Sequence, residues 1–235
     1  MIFSWRRMNA IFMKDYKDFS RNMAVSIVVF MVPVLAAFYG RIGAVTIDAQ
    51  FMLFNMAFTM VAAFIQSCLI AEEKDKNTLR GLMLSPATTA EILVGKSLLS
   101  FILTALVIVL SAFFTDYSPK NIWIVSIAIF ISICFYIAIG TLLGLYAKSV
   151  MEASVIVLPV MLVFTFGTFV TNFIEQYPIL KILNIFPNVQ LVDLAKKVQS
   201  GAGMGDVWTN MSLIFIWLII TSILTMIVYR RKMVD

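Results

Sequence analysis

Long apolar runs alternate with short polar stretches along this chain. Six runs dominate, at roughly Met23–Gly40, Phe51–Ala71, Ile92–Phe114, Ile122–Ala147, Ala153–Ile174 and Trp208–Tyr229. Each is long enough to cross a hydrocarbon core of ~30 Å as a helix. Strict polar/apolar alternation is absent, which excludes a membrane β-barrel. The pattern predicts an all-α polytopic membrane protein with six transmembrane helices. The first run could be mistaken for a signal peptide, but no convincing small-residue cleavage site follows it, so an uncleaved helix is expected.

Two further stretches have helical periodicity. Before the first span, over residues 1–22, Trp5, Met8, Phe12, Tyr16 and Phe19 recur every three or four positions, interrupted by Arg6, Arg7, Lys14, Lys17 and Asp18. This spacing predicts an amphipathic helix on the membrane surface, with a simple basic anchor as the plainer alternative. Between the fifth and sixth runs, residues 175–207 are too apolar for a free loop. Ile179 to Ile185 predicts a partly buried helix that Pro187 breaks. A second short helix over about Val189–Gln199 should end at the Gly201, Gly203, Gly205 cluster. Backbone at membrane depth must be helical or covered by protein, so the segment is expected to pack on the spans as a re-entrant hairpin. No linker or repeat divides the chain, and residues 1–235 read as one transmembrane domain.

Composition agrees and removes several kinds of chemistry. Hydrophobic residues make up 61% of the chain and charged ones 13%, against ~25% charged in a soluble domain. There is no histidine, so His-based triads, metal sites and proton relays are out. Cys68 and Cys134 lie inside apolar runs and read as buried free thiols. Thirteen of the 18 Lys and Arg fall on the side of the two termini and five on the other, which places both termini in the cytoplasm. The net charge of +5 suits basic cytoplasmic faces without calling on nucleic acid. The middles of the spans carry no Asp, Glu, Lys or Arg, which argues against an ion-coupled carrier. No paired Ser/His, paired Asp or metal cluster lies in the membrane, which argues against an intramembrane enzyme.

The sequence from Ala90 to Ser97, AEILVGKS, ends like a phosphate-binding loop. Such a loop needs a preceding strand and a glycine-rich turn. Neither is present. Thr88 with Glu91 three residues later reads instead as a capping box that starts the third span, and Lys96 is expected to snorkel to the headgroups. The segment before it, residues 72–91, opens with Glu72 and Glu73. Asn77 can cap a short helix, Thr78–Leu84, with Leu79, Leu82 and Met83 on one side and Arg80 outward, stopped by Ser85-Pro86.

The run Glu-Glu-x-x-x-x-Thr-Leu-x-x-Leu-x-x-Ser-Pro, followed by Glu-Ile-Leu-x-Gly-Lys, resembles the signature of the ABC-2 type permease family, the membrane subunits of ATP-binding-cassette exporters. The resemblance is close over Glu72 to Lys96, and the topology fits the family plan. The stretch Asn184 to Gly201 resembles the family's outer proline-to-glycine segment, with Lys196-Lys197 where an arginine is frequent. The resemblance implies that Thr78–Leu84 is a coupling helix docking on a separate ATPase subunit, with Glu72, Glu73, Thr78, Leu79, Arg80, Leu82 and Met83 as coupling residues. A solvated helix end is the plainer reading of the two glutamates. Trp5, Met8, Phe12 and Tyr16 would belong to the interface helix that transmits the motion. Two permease copies, a homodimer before a heterodimer, would form the pathway above two ATPases in a bacterial cytoplasmic membrane. ATP and Mg would sit on the ATPase, and this chain would hold no cofactor, metal or catalytic residue.

The cargo suggested by this greasy composition is an amphipathic or hydrophobic peptide or toxin, and exporters of phenol-soluble modulins are one system the chain resembles. A drug-efflux permease and a non-transporting immunity or scaffold protein are the alternatives. Within the spans, Asn55, Thr59, Gln66 and Ser67 lie on nearly one face and could touch a partner copy, the pathway or neighbouring helices. Gly140 and Gly144 permit close helix approach, within the chain or at a dimer seam.

Overall fold

The computed structural model of the protein describes residues 4–43, 45–76, 88–170 and 177–232. Every regular element among them is helical. Helix α1 (Trp5–Arg21) ends at Asn22, whose side chain caps the short α2 (Met23–Ser26). The first expected span is therefore not one rod. The Ser26 hydroxyl donates to the Phe19 carbonyl at 2.7 Å and to that of Asn22 at 3.0 Å, which tightens the turn out of α1. The helix resumes after Ile27 as α3 (Val28–Ile42). Its 15 residues rise about 22 Å, less than a bilayer core. Gly43 closes it in the left-handed region at φ 73°, where a side chain would be strained.

Five described helices are long and apolar enough to cross a membrane. The second expected span is longer than the apolar run, Ile47–Asp75, and consists of α4 (Ile47–Ala57), a π-helical segment (Phe58–Ala63) and α5 (Phe64–Asp75). Then come α6 (Thr89–Phe114), α7 (Ile122–Tyr146), α8 (Val150–Val170) and the last helix, α10 (Met204–Lys232). The predicted capping box is present: Glu91 N–H donates to Thr88 Oγ1 at 3.2 Å and Thr88 N–H to Glu91 Oε2 at 2.6 Å. Between α8 and α10, Pro178–Ile185 forms a 3₁₀ helix, and α9 runs over Pro187–Ser200. Pro187 therefore opens a helix as well as ending one, because at the first position its missing N–H costs nothing. Gly201, at φ 104°, ends α9.

The rod Ile47–Asp75 is the centre of the molecule. Its most apolar stretch is 83% buried, against 22–44% for the other four long helices. Two glycines of α7 let that rod in. A Cβ on Gly140 would collide with the Ala63 carbonyl, and one on Gly144 would lie 2.6 Å from the Ser67 carbonyl oxygen and 2.7 Å from Ile70 Cβ. The Gly-x-x-x-Gly pair thus makes an intrachain contact. Next to it the π segment carries Thr59, whose hydroxyl bonds the Asn55 carbonyl at 3.0 Å and meets the Thr165 hydroxyl of α8 at 2.9 Å. Phe58 stacks on Tyr136 at 5.2 Å, and Tyr136 meets Phe164 edge-on at 5.6 Å. Gly144→Leu must push α7 off the central rod, and overpacking of this kind costs roughly 1–3 kcal/mol. Thermal unfolding of the detergent-purified protein should fall by several degrees, and an unchanged midpoint would refute the contact.

Candidate functional site

Helix α1 lies across the ends of the second and third spans. Its predicted apolar stripe divides in two. Met8, Ile11 and Asp15 are buried against the protein, with Phe12 and Phe19 packed on the core, while Trp5 and Tyr16 are exposed. The close approach depends on Gly95: a Cβ there would stand 3.1 Å from Ile11 Cβ and 3.2 Å from the Met8 carbonyl oxygen.

The neighbouring residue corrects an expectation. Lys96 does not reach the headgroups. It is 1% exposed, and its ammonium is 3.1 Å from Asp15 Oδ1 of α1 and 2.8 Å from Glu73 Oε1 of α5. Glu73, 3% exposed, also pairs with Lys14 of α1. Buried Lys96, Asp15 and Glu73, with half-exposed Lys14 as the second ammonium, therefore form a neutral cluster joining three helices. Pairing is what makes such burial tolerable, because an isolated charge in a low-dielectric interior is far costlier. So the glycine and lysine of the GKS run dock a helix and hold a cluster together.

Two more ionic contacts flank the cluster. Glu91, fully buried at the start of α6, accepts from Arg7 Nη2 at 2.8 Å and from the Ser4 N–H while capping its own helix. At the other end, Lys76 bridges Glu72 at 2.7 Å and Asp18 at 3.3 Å, and the Glu72 hydrogen bond leads the raising of its pKa. Lys74 donates to the carbonyls of Leu145 and Ala147 (2.7 Å to the latter) and so closes the end of α7. Helix α1 thus grips the chain on both sides of residues 77–87. The expected coupling residues Thr78, Leu79, Arg80, Leu82 and Met83 lie outside the described residues, and only Glu72 and Glu73 of that group can be placed.

Burial raises the Asp15 carboxyl to about 6 against the opposing attraction and hydrogen bond of Lys96. The folded protein therefore holds this proton more tightly than the unfolded chain, whose carboxyl titrates near 3.8. This contribution to stability is present below the unfolded value and is lost as pH rises through about 6.

The polar residues of the interior are also placed. Gln66 donates to Thr141 Oγ1 of α7 at 3.0 Å and accepts from Ser100 of α6 at 2.8 Å. Asn55 is fully buried, and its side-chain amide has no hydrogen-bond partner among the described residues. Asn55, Thr59, Gln66, Gly140 and Gly144 all lie within the single-chain bundle. Cys68 is a buried thiol, whereas Cys134 is only partly covered. At the far end, Lys196 of α9 pairs with Asp48 at 2.6 Å beside a cavity of about 480 Å³, and Lys197 holds Asp193 at 3.0 Å and Asn210 at 2.9 Å. Trp217 N–H donates to the Ile185 carbonyl at 2.8 Å. The hairpin is thereby fastened to the second and last spans.

Of the residues singled out in the sequence, Glu72, Glu73, Met8 and Phe12 lie in or beside this cluster. Sequence reasoning missed Asp15, and it gave Lys14, Arg7 and Lys96 no partners. The signal was there: Asp15 follows Met8 by seven residues and Ile11 by four, on the buried face of α1. A carboxylate there calls for a buried cation, and Lys96 follows a glycine that admits the helix.

These features define a multi-pass helical membrane protein with a surface helix bolted to the loop between two central helices. The chain belongs to the ABC-2 family: the family model described as "ABC-2 family transporter protein" matches residues 34–228. No curated protein matches the chain. Membership makes it a membrane subunit of an ABC transporter, a transport component whose family works with an ATPase subunit.

Lys96→Met leaves Asp15 and Glu73 buried with Lys14 alone, and breaking a buried pair in this way costs about 3–5 kcal/mol. A large drop in thermal stability in detergent is expected, and a drop no larger than that of the half-exposed Lys14→Met would count against the cluster. Asp15→Asn removes the titrating group. Stability measured from pH 4 to 7.5 should shift in favour of this variant relative to wild type as pH rises, with most of the change complete a little above pH 6.

Proposed function

We propose that this chain is the permease of an ATP-driven exporter, working as a dimer, preferably of two identical copies, with two ATPase subunits docked at the α1 end. That end is cytoplasmic by the distribution of Lys and Arg. The observation that carries the reading is the ionic grip of α1 on both sides of residues 77–87. A push by an ATPase that reaches the flanks of that loop would pass through Glu73 to the central rod and through Glu91 and Lys96 to α6. Rigid-body transmission of this kind suits a bundle whose interior is close-packed. ATP and Mg are bound and used by the partner.

The cargo that fits best is an amphipathic or hydrophobic peptide. The deep interior of the spans offers hydroxyls, amides and aromatic faces, with no acidic or basic relay for a coupling ion. A small hydrophobic drug is the competing cargo.

The decisive experiment is a pull-down of the tagged chain from gently solubilised native membranes. A stoichiometric ATPase is expected, and it should be lost in the Leu79→Asp, Leu82→Asp double variant while the protein itself stays folded. Absence of an ATPase under several mild conditions would overturn the reading in favour of a scaffold or immunity protein. Deletion of the gene should lower secreted peptide while leaving drug tolerance unchanged, and the reverse result would transfer the cargo assignment to drugs.

A further inference from the structure

Helices α6 and α10 both pack on α7, and between them they leave a cleft of about 580 Å³ in the half of the bundle nearest α1. This volume lies within the range of small-ligand sites. One wall carries Ser97 and Phe101, the other Ser222 and Met226, and Cys134 and Ala138 of α7 form the floor. Val94, Phe130 and Met226 of the cleft lining are exposed on the outside of the bundle. Its lining on α6 runs from Leu93 to Phe101, a helical rise of about 12 Å.

The mouth of the cleft is positively charged. Arg230 follows Met226 by four residues, on the same side of α10, and helical side chains lean toward the N-terminus, back over the cleft. Arg230 and Arg231 are exposed and enter no ion pair among the described residues. Three carboxylates at this end are engaged elsewhere: Glu91 with Arg7, Glu73 with Lys14 and Lys96, and Glu72 with Lys76. Among the described residues, no carboxylate lies within ion-pair distance of either arginine. An apolar trough one chain wide, at membrane depth, ending under unpaired guanidinium groups, is complementary to an anionic amphiphile.

We infer that this cleft binds one anionic phospholipid from the leaflet at the α1 end, with an acyl chain between Ser97 and Ser222 and the phosphate at Arg230 and Arg231. The bound chain fills the gap between α6 and α10 and braces the helix that carries Lys96. The site is independent of the transport reading, and its test needs neither cargo nor ATP.

The test is native mass spectrometry of the purified full chain titrated with dioleoyl phosphatidylglycerol or with phosphatidylcholine of the same acyl chains. One phosphatidylglycerol per protein should be retained, with a preference of about tenfold or more over phosphatidylcholine. Ser222→Phe fills the trough and should lower retention about tenfold, whereas Ile223→Phe, on the exposed neighbouring position, should leave it unchanged. The Arg230→Gln, Arg231→Gln pair should bind both lipids alike. Should Ser222→Phe fail to fold, Ser97→Phe blocks the opposite wall and must give the same loss. Equal retention of the two lipids by the wild type, or full retention by the trough-filling variant, would overturn the inference.

Discussion

A lysine buried where three helices meet dictates much of this structure. Lys96 lies about two turns into an apolar helix, and a lone ammonium there would be prohibitively costly. It is tolerated because Asp15 and Glu73 are brought to within hydrogen-bonding distance, and Lys14 balances the second carboxylate. Each partner comes from a different segment. Satisfying one charge therefore fixes the position of α1, the end of the central rod and the start of α6 together. Such a cluster adds little net stability compared with well-packed apolar residues, but it specifies one arrangement, since any slip of α1 leaves a buried charge unpaired.

The centre of the bundle obeys a related rule. The rod Ile47–Asp75 is almost wholly covered by its own chain, and two of its polar side chains find partners inside while the Asn55 amide finds none among the described residues. Gln66 does so with Thr141 and Ser100, and Thr59 with Thr165. Gly140 and Gly144 remove the side chains that would hold α7 away, and without that approach the Gln66–Thr141 bond could not form. Small residues and hydrogen bonds thus replace the hydrophobic drive that lipid surroundings do not supply.

The two ends of the molecule are built for different tasks. At the α1 end, ions tie a surface helix to both flanks of a loop, an arrangement suited to carrying force from a partner to two helices at once. At the far end, α9 is wedged among the spans by apolar residues and fastened by Lys196, Lys197 and Trp217. Its attachments run to the second and last spans, through the half-exposed Asp48–Lys196 pair and through Lys197 and Trp217.

The linear pattern alone predicted the helical membrane class, the five long spans, a helix ahead of them, short helices before the last one, the Thr88–Glu91 cap and the family. These rest on hydrophobic run length, helical periodicity and short-range capping chemistry, all of which act between near neighbours in the chain. The π segment at Phe58–Ala63, the burial of Lys96 and the intrachain role of Gly140 and Gly144 were decided only by tertiary structure. Each depends on contacts between residues dozens of positions apart: Lys96 and Asp15 are separated by 81 residues, and Gln66 and Thr141 by 75. A lysine near a helix end looks the same in sequence whether it reaches for headgroups or for a carboxylate. The choice is made by whichever helix packs beside it, and Gly95 decides that by leaving room for α1.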